Sequence, residues 1–218
     1  MFLEESISML TLTDNITQIQ AKVNKAFAEE INKVLFKEKN NLLQKCKQIS
    51  TQSILLQPEV QSLNSSRADS LAGQFGITTS QAIALPNAIA AAIEASISVT
   101  FIKYNFKLAG GIEVNFQPKD FRNLLDLPIG HTIYNGGDLH WMSWLLEQGD
   151  KVIIVGYSYD PTTGLGRSGL GTMTSGGFFR VPPQFSGTTE NNFVTRALVG
   201  SEQEKEISKV FKSILGAK

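Results

Sequence analysis

The sequence predicts an α+β fold: a long N-terminal helix, a mixed, mostly antiparallel β-sheet with a buried central helix, and a C-terminal helix. Three observations predict it. Apolar residues recur at steps of three and four through the first segment of the chain, which is the spacing of one helix face. After residue 96 the period changes to strict alternation, with β-branched and aromatic residues enriched, as in a strand. Helical spacing returns near the end, at Ile207, Val210, Phe211, Ile214 and Leu215. The organisation that follows is an N-terminal helical region over 1–50, an irregular and helical arm over 51–95, and an α+β core with its C-terminal helix over 96–218.

The first helix is read from Ile19, Val23, Phe27, Ile31, Val34, Leu35, Leu42 and Ile49, a stripe on an otherwise polar segment. Thr13 or Asp14 can cap it, because a short side-chain oxygen satisfies an orphan backbone N–H. No glycine or proline falls between Asp14 and Gln57. A continuous helix of about 35 residues would reach roughly 50 Å. A break near Lys39-Asn40-Asn41 would instead give an α-hairpin, and both readings stay open.

Ser50 to Ser66, rich in Ser, Gln and Asn and carrying Pro58, reads as a loop. A helical turn is expected from Ser66 to Gly73, and a second helix from Thr79 to Ala95, kinked or split by Pro86. Ile97 to Leu108 alternates as a strand, Gly110-Gly111 reads as a hairpin turn, and Ile112 to Phe116 returns as its partner. Asp120 to Leu127 is a short amphipathic turn. Gly136-Gly137-Asp138 is expected to open the central helix, Leu139 to Gln148, which Gly149 stops. Apolar residues on nearly every face, including Trp141, Met142, Trp144, Leu145 and Leu146, predict burial on most sides. Val152-Ile153-Ile154-Val155, within Lys151 to Tyr159, is apolar on both parities and reads as a central strand. Further strand is expected near Met173, and a closing helix from Ser201 to Leu215 with Ser201 and Glu204 as a capping box.

The 20 basic and 20 acidic residues cancel, which removes the cation excess that dedicated nucleic-acid binding uses. The 42% hydrophobic content is enough for a real core. The single cysteine, Cys46, cannot form an internal disulfide and reads as a packed thiol. Met1-Phe2-Leu3-Glu4-Glu5 lacks the basic start of a secretion signal. Ala82 to Val99 is interrupted by Pro86, Asn87 and Glu94, so no membrane span is expected.

Catalytic, cofactor and metal motifs are absent or incomplete. Gly166-Arg167-Ser168-Gly169 lacks the spacing and flanks of a nucleophile elbow. Gly164, Gly166 and Gly169 match a dinucleotide fingerprint literally, but no helical pattern follows, so the expected structure is a glycine loop between strands. Asp138 and His140, two apart at an expected helix start, should lie on different faces. Lys33, Lys37, Lys39, Lys45 and Lys47 offer a basic surface, read as solvated or as a site of non-specific DNA contact.

The C-terminal half carries a resemblance. Leu139-His140-Trp141-Met142-Ser143-Trp144-Leu145-Leu146-Glu147-Gln148-Gly149 resembles the L-W-L-x-W-L-L-x-x-G helix of certain tailed-bacteriophage virion proteins. Arg180-Val181-Pro182-Pro183-Gln184-Phe185-Ser186-Gly187-Thr188 and Asn191-Asn192-Phe193-Val194-Thr195-Arg196-Ala197 are similar to that family's W-R-V-P-P-E-F-A-G-T-x-x-N-N-F-I-T-R-A. Phe179, Gln184 and Ser186 depart from it. The resemblance implies a neck or tail-completion subunit: a non-enzymatic, ring-forming protein of the virion, assembled in the host cytoplasm and joining the head connector to the tail. It implies no cofactor, and its partners would be the connector, tail terminator or tail subunits. The alternatives are another virion position, such as terminator, baseplate or minor tail protein, a DNA-binding module, or a hydrolase using Ser168. The expected interface comprises Gly166, Arg167, Ser168, Gly169, Val181, Pro182, Pro183, Phe185, Phe193 and Arg196. Core packing is the equally available reading for its aromatic anchors.

Overall fold

The computed structural model describes residues 14–134, 136–164, 166–214 and 216. Helix α1 runs unbroken over Ile16–Leu55, which settles the hairpin alternative: Asn40 and Asn41 are tolerated inside it. The cap is Asn15, one residue later than expected; Gln18 N–H donates to Asn15 Oδ1 (2.8 Å) and Asn15 N–H to Gln18 Oε1 (2.9 Å). The alternative cap Thr13 lies outside the described residues. The segment expected as a loop from Ser50 is helical, and Pro58 ends it by biasing Gln57 to extended backbone (ψ 138°). Pro58 then starts α2, Pro58–Leu63.

Short α3, Leu71–Gln74, is capped by Ser70. Helix α4, Thr79–Ser96, has a Thr78/Gln81 capping box and continues through Pro86 without splitting. The missing proline N–H leaves the Ala82 carbonyl without its helical donor.

The β structure differs from the expected single sheet. Among the described residues, three separate antiparallel pairs form instead. Strand β1, Ser98–Ile102, pairs with β2, Gly111–Asn115. The strand expected to reach Leu108 stops at Ile102, because α1 captures the next segment: Asn32 accepts from Tyr104 N–H (2.8 Å) and donates to Tyr104 O (2.9 Å). Helix α5, Arg122–Leu125, follows.

Strand β3, Thr132–Tyr134, pairs with β4, Gly137–Leu139. This hairpin occupies the expected start of the central helix, which shrinks to α6, Met142–Leu146. Trp141, Met142, Leu145 and Leu146 are all fully buried, as the apolar pattern requires. Strand β5, Ile154–Asp160, pairs with β6, Thr172–Phe179. It belongs to a two-stranded ribbon, not to the centre of a sheet, and Val152, Val155 and Tyr157 are exposed. Helix α7, Phe193–Leu198, and α8, Ser201–Ile214, close the chain. Ser201 opens α8, and Glu204 N–H donates to Gly200 O (3.1 Å); the Ser201 side chain, on which the expected capping box depends, lies outside the described residues. Leu215 lies outside the described residues.

One core joins these pieces. The Trp141 ring stacks on Phe75 (5.2 Å, 11°), and Phe75 meets Phe179 edge-on (6.5 Å, 76°). Around them pack the lower half of α1, α4 and α7. No described helix is long and apolar enough to cross a membrane.

Candidate functional site

The glycine loop joins β5 to β6, as expected. It is pinned at its base by Tyr159, whose hydroxyl donates to Ala68 O (2.7 Å) and accepts from Gly171 N–H (3.0 Å). Burial pushes the Tyr159 phenol pKa up, opposed by the Gly171 N–H. Gly166 N–H donates to Gly171 O (3.0 Å) and Gly169 N–H to Gly166 O (2.9 Å). A Cβ at Gly166 would overlap the Gly171 carbonyl, so the loop's closure requires glycine there. Ser168 Oγ accepts from Leu170 N–H (3.3 Å) and reaches Gly73 O at 3.5 Å. Among the described residues it has no histidine or carboxylate partner. Strand β6 follows the loop, where a pyrophosphate cradle would need a helix.

The Arg180–Arg196 segment divides between core and surface. Val181 and Phe193 are completely buried; the expected interface loses both, because the fold uses them as core. Phe185 is half-buried against that core, Pro182 is half-buried and Pro183 exposed. The connection Ser186 to Asn192 is built around two residues. Gly187 passes so close to the Leu145 carbonyl that a Cβ would overlap it. Asn192, fully buried, caps α7 and donates to Leu146 O (3.2 Å) and Thr188 O (2.9 Å). Arg196 reaches back to Glu59 on α2. The Glu59 carboxylate is 1% exposed, and its Oε2 has no partner among the described residues. Gly166, Arg167, Ser168, Gly169 and Pro183 thus stay at or near the surface, while Arg196 serves the chain's own fold.

A cavity of about 250 Å³ lies between the glycine loop and the β3–β4 hairpin, lined by Phe75, Thr132, Leu139, Tyr159, Arg167 and Met173 among others. Its wall is mostly apolar, and among the described residues its polar side chains include Thr132, Tyr134, Tyr159 and Arg167.

The opposite face of the same hairpin was not anticipated. His131 Nδ1 lies 2.7 and 2.8 Å from the two Asp138 oxygens, and His140 Nε2 lies 3.2 Å from Oδ2. The two imidazoles stack at 4.9 Å with planes 9° apart. The expectation that Asp138 and His140 lie on different helix faces does not hold: Asp138 sits in β4 and His140 one residue past its end, where their side chains meet. The Asn135-Gly136 dipeptide, a strong hairpin signal, is the clue that would have revealed it.

Cys46 is buried, and burial pushes its thiol pKa up. Of the lysine run, Lys33, Lys37, Lys39 and Lys45 are exposed and Lys47 is half-buried. Lys37 and Lys39, two apart on α1, point to different faces, so the run is not one stripe.

No protein family, curated protein or solved structure matches this chain.

Proposed function

We propose that the chain is a non-enzymatic structural subunit of a tailed-phage particle, forming a ring in the neck that joins head connector to tail. The observation that carries the assembly role is the apolar surface of the β5–β6 ribbon. Val155 and Phe178 are direct cross-strand partners, yet they are 81% and 56% exposed. Tyr157 beside them is half exposed, and Phe27 and Phe36 on α1 are exposed as well. Isolated apolar residues on a surface need no explanation, but a cross-strand pair of exposed apolar residues suits a protein partner. The phage assignment rests on the likeness of the Trp141–Gly149 and Arg180–Ala197 segments to virion proteins.

A ring requires heterologous contacts, each subunit presenting two different surfaces. The β5–β6 ribbon supplies one, and the exposed flank of α1 the other. The test is electron cryomicroscopy of particles together with sedimentation of the purified protein. A single ring between head and tail, lost in Val155→Glu/Phe178→Glu particles while the isolated subunit keeps its melting temperature, supports the reading. A protein absent from every particle, or a double variant that assembles normally, overturns it.

A further inference from the structure

We infer that His131, Asp138 and His140 form a binding site for a divalent transition ion of the zinc class on the outer face of the β3–β4 hairpin. The backbone register makes the site. Thr132 pairs with Leu139 and Ile133 with Asp138, and His131 and His140 flank the last pair of that ladder, just outside the two strands. Their rings stack at 4.9 Å, close enough for two imidazoles to reach one ion. Asp138 lies in β4, and its Oδ2 is 3.2 Å from His140 Nε2. Thr132 and Leu139, of the other parity, point inward and line the cavity. The hairpin is thus anchored through one face and carries all three donors on the other.

The donor set is two imidazole nitrogens and one carboxylate, the combination that suits zinc and its first-row neighbours and not calcium or magnesium. Ligand atoms about 2.1 Å from a tetrahedral ion lie roughly 3.4 Å from one another. The His131–Asp138 and His140–Asp138 separations are 2.7 and 3.2 Å, and all three donors fall within 4.8 Å of one another. The remaining adjustment falls to His140, whose side chain is 62% exposed and free to turn. His131, at 24% exposure, is the better anchored donor. On binding, the carboxylate exchanges an imidazole N–H for the ion, and three protein donors leave a fourth position for water. The inference is independent of the proposed assembly role.

The test is calorimetric titration of Zn²⁺ into tag-free, metal-stripped full-length protein, repeated with His131→Ala and His140→Ala and followed by absorption with Co²⁺. The expected result is one ion per chain, affinity at least about tenfold weaker in either variant, and a Co²⁺ visible band that both variants lose. Circular dichroism should show all three proteins equally folded. Absence of saturable binding in the parent protein would overturn the inference, leaving a hydrogen-bonded cluster that steadies the hairpin. Equal binding in the His131→Ala/His140→Ala double variant would overturn it too.

Discussion

Truncating Arg196 to alanine should destabilise the fold sharply even though much of its side chain is at the surface. Its partner Glu59 is a charged group at 1% exposure, with one carboxylate oxygen already lacking a partner among the described residues. Breaking a buried ion pair from one side typically costs about 3–5 kcal/mol, because the remaining charge is stranded. Arg196 is 38% exposed, so water screens part of the interaction and the cost is discounted to about 2–3 kcal/mol. The same change also removes the bond from Arg196 Nη1 to Asn191 Oδ1 (3.1 Å). Urea unfolding followed by tryptophan fluorescence suits the measurement, since Trp141 is fully buried. With a urea slope of about 2–3 kcal/mol/M, the midpoint should fall by about 1 M. Adding Glu59→Met to Arg196→Ala removes the stranded charge and should recover at least about half of the loss. A single variant whose midpoint moves by less than about 0.2 M would refute the reasoning, and so would a double variant no better than the single.

Gly187→Ala should lower stability by about 3 kcal/mol or more or prevent soluble expression, since its Cβ meets the Leu145 backbone rather than a side chain that can swing away; thermal melts decide it. Asn192→Ala should cost about 2–4 kcal/mol, combining a lost helix cap with a buried Leu146 carbonyl left without its donor, measured by the same melts. Cys46 should react with an aromatic disulfide reagent about a hundredfold more slowly in the native protein than in urea; equal rates would contradict its placement. The Thr162 hydroxyl and N–H hold the Asp160 carboxyl below its ordinary pKa. A carboxyl lowered on folding contributes stability above its unfolded pKa, and that contribution fades as pH falls through the folded value. Carboxyl NMR titration should therefore show a midpoint under about 3.9, moving upward in Thr162→Val.

Much of the helical framework was legible because periodicity reports which side of a helix meets the core. In α1 the stripe was right in kind but wrong in extent: Val23 and Phe27 belong to it and are exposed, while Ser50 and Ile54, read as loop, are buried. Polar composition at Ser50 to Ser53 masked a helix that only Pro58 ends. The central helix was overextended because Leu139 looked like part of its apolar surface, whereas it is the inward residue of β4. Val152 to Val155 suggested two-sided burial, yet an apolar residue at the surface reads the same in sequence as one in a core. The single-sheet expectation failed for a related reason. Strand pairing beyond a hairpin is decided by contacts between distant segments, as where Asn32 of α1 takes hold of Tyr104 and ends β1. Among the expected interface residues, the glycine loop was placed correctly between strands, but nothing local distinguishes Phe193 in a core from Phe193 on a surface.

The forty-residue α1 is about 60 Å long by its rise, and from Ile16 to Phe27 none of its side chains is buried. That leading stretch, about 18 Å, behaves as the arm of a lever whose fulcrum is the Asn32–Tyr104 clasp and the buried Ala28 and Leu35 beside it. Tilting the clasp by about 10° would carry the tip by about 3 Å or more, the order of displacement at which packed interfaces switch between arrangements. By this geometry a small rotation at the β1–β2 loop would be magnified at the far end of the rod.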